Sequence, residues 1–67
     1  VKWEERRAMN REEVARVLRV FSEAIAREGV VEYLGHRTAI PEEMEVEVEY
    51  KEKHGKCKFE IELKWRG

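Results

Sequence analysis

The residues with most scope for chemistry in this 67-residue chain are carboxylates spaced two apart: Glu45, Glu47 and Glu49 in one run, Glu60 and Glu62 in another. Such a strip serves one of three ends: acid–base catalysis, a hard cation, or a basic partner. On an open strand face, burial does not raise a carboxyl pKa toward neutrality, so acid–base work has no basis. Side chains that diverge from a strand also fail to build the compact oxygen cage of a calcium or magnesium site. No metal is expected. Attraction to a basic surface remains, from another protein or from a second copy of the chain. Glu47, Glu49, Glu60 and Glu62 are therefore candidate partner-binding residues, since like charges facing each other need an offset. Lys2 and Arg6 on a neighbouring strand are expected to supply much of it, with solvent screening the rest.

Arg16, Arg19 and Arg27 form the second pattern, and a phosphate-binding stripe would use such arginines. Glu12 precedes Arg16 by four residues, Glu23 precedes Arg27 by four, and Arg19 and Glu23 are also four apart. Those spacings predict a solvent-exposed salt-bridge ladder that needs no ligand. Stacking on single-stranded nucleic acid would require aromatics on the same exposed face. Trp3, Phe59 and Trp65 fall on the apolar parity instead. His36 and His54 each adjoin a glycine in an expected turn and lack a metal-ligand spacing. Ser22 and Thr38 have no neighbouring base, and no glycine-rich phosphate loop exists. Cys57 is the only cysteine, which excludes a disulfide within the chain; its apolar parity reads as a small buried hydrophobe ahead of a reactive or intermolecular thiol, and a lone cysteine fits a reducing cytoplasm. The expectation is a protein that is not an enzyme and takes no cofactor.

The elements that must carry these residues follow from periodicity. Met44, Val46, Val48 and Tyr50 alternate with charged residues, as do Cys57, Phe59, Ile61, Leu63 and Trp65 after the Lys53-His54-Gly55-Lys56 break. A period of two places them on one dry face of an amphipathic hairpin. A two-residue His54-Gly55 loop pairs residues whose numbers sum to 109: Tyr50 with Phe59, Val48 with Ile61, Val46 with Leu63 and Met44 with Trp65. The same register sets Glu47 against Glu62 and Glu49 against Glu60. Upstream, Asn10 with Glu13 makes a capping box, with Met9 and Val14 as a hydrophobic staple. Val14, Val17, Leu18, Phe21, Ala24 and Ile25 define one helical face. Gly29 supplies the stop, which gives a helix from Arg11 to about Glu28. Val1 and Trp3 alternate with Lys2 and Glu4, which predicts a first strand ending near Arg6 or Arg7. Val31-Glu32-Tyr33 reads as a short strand, Leu34-Gly35-His36 as a turn, and Arg37 to Ile40 as extended chain.

The run from Pro41 to Tyr50, followed by Phe59 to Trp65, resembles the amphi-Trp domain, a small prokaryotic family named for its amphipathic, tryptophan-ending tail. The helix start Met9-Asn10-Arg11-Glu12-Glu13 is similar to that family too, with Asn10 where Ser is usual. The resemblance covers most of the chain. It supports the architecture and brings no catalytic residues with it.

The predicted fold is α+β: an antiparallel β-sheet of three to four strands with one α-helix packed on one face, in the order β-α-β-β-β, as one domain over residues 1–67. Its core is expected to hold Trp3, Val14, Val17, Leu18, Phe21, Ile25, Val46, Val48, Tyr50, Phe59, Ile61, Leu63 and Trp65. Tyr33 is expected at the core or its edge. A core this small supplies only about 3–5 kcal/mol, so self-association is the expected supplement. A formal charge of −1 offers no general attraction to nucleic acid or anionic lipid. No stretch is apolar enough to span a membrane. The abundance of Glu, Lys and Arg with one Asn and no Gln is a thermophile-like bias. The functional expectation is a small structural or protein-interaction module that forms a homodimer, with Trp3, Trp65 and the four glutamates as its surface. The alternative is a nucleic-acid-associated module using Arg16, Arg19 and Arg27.

Overall fold

The structure, a computed structural model, describes residues 2–67. Helix α1 (Arg11–Glu28) starts where the capping box predicts. The Glu13 backbone N–H donates to Asn10 Oδ1 at 2.9 Å, and the Asn10 N–H donates to Glu13 Oε1 at 3.1 Å. Two donors that the first turn would leave orphaned are thereby satisfied. At the other end Gly29 takes φ 64° and donates to the carbonyls of Ala24 and Ile25, both at 3.1 Å. A residue with a Cβ adopts that left-handed conformation only with strain.

Strands β1 (Val30–Tyr33) and β2 (His36–Ala39) follow directly and pair antiparallel, with Val31 opposite Thr38 and Tyr33 opposite His36. The Ile40 N–H donates to the Gly29 carbonyl at 2.7 Å, which ties the end of this short hairpin back to the helix cap. The helix packs on β1. Phe21 meets Tyr33 edge to face at 5.3 Å, and Val17, Phe21, Ala24, Ile25, Val31, Tyr33 and Thr38 are half-buried. Strands β3 (Glu45–Lys53) and β4 (Lys56–Lys64) form the long hairpin in the expected register, with Val48 opposite Ile61 and Tyr50 opposite Phe59. Its turn residues His54 and Gly55 both have positive φ, 51° and 79°. That geometry matches the right-handed twist of the flanking strands.

Two expectations about architecture are overturned. The helix precedes every strand among the described residues, and the strands form two separate two-stranded sheets, not one sheet in the order β-α-β-β-β. Residues 2–10 carry no strand; Val1, also assigned to it, lies outside the described residues. The physical reason is the Glu4-Glu5-Arg6-Arg7 run, which breaks the alternation after a single turn and leaves no apolar face to dock. The second miss lies in Val30–Ile40, which closes on itself through Leu34-Gly35, with φ 52° and 82°. Local pairing through this turn competes successfully with addition to the longer hairpin.

The expected core is also corrected. No described side chain is fully buried. The helix lies on the short hairpin and makes no backbone approach to β3 or β4. With Gly29 as the sole link, β1 folds straight back onto Phe21 and Ile25, and the long hairpin continues beyond them. Cys57, expected inside, is exposed. The radius of gyration is 13.6 Å, against about 11 Å for a compact chain of this length.

Candidate functional site

The long hairpin has two faces with opposite states. Its polar face pairs much of its own charge. Lys51 Nζ lies 3.6 Å from Glu49, Lys58 Nζ 3.4 Å from Glu60, and Lys64 Nζ 2.8 Å from Glu47. These lysines sit on β3 and β4 themselves, so the like-charged pairs Glu47–Glu62 and Glu49–Glu60 are relieved from within the hairpin. Lys2 and Arg6, expected to supply the relief from a neighbouring strand, do not. Glu49 and Glu60 consequently become half-buried beneath lysine stems. The Lys64 hydrogen bond, reinforced by its charge, holds the Glu47 carboxyl below its ordinary pKa, and the same bond raises Lys64.

The apolar face has no such cover. Val46, Val48, Ile61 and Leu63 are exposed, and Phe59 and Tyr50 are 66% and 62% accessible. Those two form a cross-strand pair near the tip. Diagonal to Tyr50 across the ladder, the Cys57 thiol raises the phenol above its usual value by hydrogen bonding, with some desolvation. Toward the base, Ile61, Leu63 and Trp65 form one wall of an open cleft of about 640 Å³. Leu18, Phe21, Ile25, Val31 and Ile40 form the other wall, with Ser22 and Thr38 the only polar residues lining it among those described. Its size falls within the ordinary range for ligand pockets, but it lacks the convergent polar groups that fix a small molecule.

The residues singled out from the sequence are not brought to one place. Trp3 lies flat on His36, with ring centroids 4.3 Å apart and planes 9° apart. It lines a shallow pocket with Val17, Phe21, Val31 and Tyr33, distinct from the cleft that Trp65 lines although both share Phe21 and Val31. Glu47, Glu49, Glu60 and Glu62 have the opposite parity to Trp65 and so project from the other face of the hairpin. Arg16, Arg19 and Arg27 are exposed on α1. The expected ladder with Glu12 and Glu23 is not formed, since no described residue lies within ion-pair distance of these arginines. His36, read as a plain turn residue, turned out to be Trp3's stacking partner, and only the aromatic type of both residues hinted at it.

Among the described residues no group of three or more His, Cys, Asp or Glu is placed to hold a metal ion. No helix among them is long and apolar enough to cross a membrane. The family model for the Amphi-Trp domain matches residues 1–67. Comparison with the curated proteins and with the solved structures finds no match.

Proposed function

The chain belongs to the Amphi-Trp domain family, and from that premise we propose that it is a non-enzymatic protein-interaction module that self-associates through the apolar face of its long hairpin. One observation carries this reading: the surface is too large for a chain that works alone. A folded protein of 8.1 kDa exposes about 4,500 Å², whereas this chain exposes 6621 Å². The excess, about 2,100 Å² per chain, amounts to about 4,200 Å² for a pair and falls within the range of obligate homodimers.

The hydrophobic effect makes that state costly in water. Each 100 Å² of apolar surface left wet forfeits about 2.5 kcal/mol, and exposed patches far beyond a few hundred Å² mark association surfaces. A basic protein is not required, because Lys51, Lys58 and Lys64 already pair with Glu49, Glu60 and Glu47 of the strip. The free, exposed Cys57 suits a reducing compartment such as the cytoplasm.

Solution mass measured by light scattering across a concentration series tests the proposal. The expected result is a species of two 8.1 kDa chains that persists to low micromolar concentration. A mass of one chain at every concentration would remove self-association and turn the search toward a different apolar partner.

A further inference from the structure

Resting on that self-association, the geometry points to a crossed dimer in which Tyr50 and Phe59 of each copy fill the cleft of the other. The cleft is walled on the hairpin side only by Ile61, Leu63 and Trp65, the base half of β4 and the residue just beyond it. Tyr50 and Phe59 are the most exposed large apolar side chains described. They lie on the same face, farther along the same strands. Phe59 is four residues from Leu63, about 13 Å along an extended strand. A chain therefore cannot lower this pair into its own cleft while β3 and β4 stay straight.

A second copy can. A two-fold axis lying between two stacked hairpins, crossing their strands at Val48 and Ile61, sets Val48 over Val48 and Ile61 over Ile61. It then brings Tyr50 over the other copy's Val46 and Phe59 over its Leu63, at the mouth of the cleft. The contact is isologous and closes at two chains. Aligned sheet packing at about 10 Å accommodates it.

Charge favours the crossed arrangement over a tip-to-tip one. The hairpin tip carries Lys51, Lys53, Lys56 and Lys58 against Glu52 alone, while at its base Glu42, Glu43 and Glu45 outnumber Lys64 and Arg66. Crossing sets each strongly basic tip over the other copy's slightly acidic base. Tip-to-tip stacking would crowd both sets of lysines within about a Debye length, roughly 8–10 Å, of each other. Opposed like charges discriminate strongly between the two geometries.

The test uses a spin label at Lys56→Cys in a Cys57→Ser background, on the outer face of the tip and away from the proposed contact. Lys56 is five residues from Ile61, so crossing separates the two labels by about 33 Å along the strands. Tip-to-tip stacking adds almost no separation along the strands, so the labels on the two outer faces lie only the sheet spacing plus their own reach apart, roughly 20–25 Å. Light scattering on the same sample reports whether the dimer is present. A dimer with the long distance supports the crossed geometry. A dimer with the short distance overturns it and leaves self-association standing, whereas a monomer overturns both. Phe59→Ala in a Trp3→Phe background provides a second readout, because Trp65 is then the only tryptophan. Crossing predicts a red-shifted Trp65 emission in the dimer; an unchanged spectrum in an intact dimer overturns the cleft-filling role.

Discussion

The two hairpins of this domain are built from the same local rules and end in opposite circumstances. Each closes through a two-residue turn with both residues at positive φ, Leu34-Gly35 in one and His54-Gly55 in the other. The short one is joined to the helix by a single glycine and lays Val31 and Tyr33 against Phe21. The long one is better formed as a hairpin, with nine residues in each strand, yet Val46, Val48, Tyr50, Phe59, Ile61 and Leu63 on its apolar face stay exposed. Alternation guarantees a dry side to a sheet. Chain connectivity decides whether the same molecule can dry it.

Substitutions that act on one hairpin and spare the other sharpen this contrast. The largest effect belongs to the centre of the bare face. Ile61→Asp buries a charge in the proposed dimer and is expected to weaken association at least 100-fold, about 2.7 kcal/mol. Sedimentation equilibrium reads this, and an unchanged association constant would place the contact elsewhere.

Phe21→Ala attacks the packed side instead. The side chain is only half-buried, so the loss is about 2 kcal/mol, below the 3–5 typical of a fully buried phenylalanine. Denaturant unfolding should show it as a lower midpoint. If melting is insensitive, the helix and short hairpin do not stabilise each other as described.

A smaller gain is expected at the short turn. Leu34 holds φ 52°, a region costing a side chain like leucine about 1 kcal/mol that asparagine tolerates. Leu34→Asn should raise the melting temperature slightly without touching association; a drop would mean that the exposed leucine makes a contact of its own.

The smallest effect is electrostatic and confined to the polar face of the long hairpin. Glu47 has its pKa depressed by Lys64, so its contribution is present above the unfolded carboxylate pKa and is lost as pH falls below about 4. Both side chains are open to water, which keeps the contribution small. Glu47→Gln should flatten the acid limb of stability slightly and leave the neutral plateau in place, and an equally steep limb would assign the acid sensitivity to other carboxylates.

Local structure was legible in the residues to a degree that tertiary structure was not. The capping box, the Gly29 stop and the pairing sum of 109 are consequences of contacts within a few residues or across one turn. They survive any arrangement of the larger pieces. The expected N-terminal strand failed because Trp3 alone cannot sustain an apolar face against Glu4-Glu5-Arg6-Arg7. The expected core failed for a subtler reason: periodicity records which side chains avoid water, and it is silent on whether the cover comes from the same chain. The glutamate strip was visible, while its relief by Lys51, Lys58 and Lys64 depended on side chains two residues apart along a strand or diagonal across the ladder. The pairing of Trp3 with His36 joins segments more than thirty residues apart, beyond the reach of any local pattern.

The measurement closest to the state of the bare face is the relaxation of its methyl groups by a soluble paramagnetic probe. Val48 and Ile61 methyls should be shielded at high protein concentration and become accessible on dilution, while the Ala8 methyl, in the exposed N-terminal segment, stays accessible throughout. Val48 and Ile61 that remain fully accessible at the highest concentration would contradict burial in a second copy.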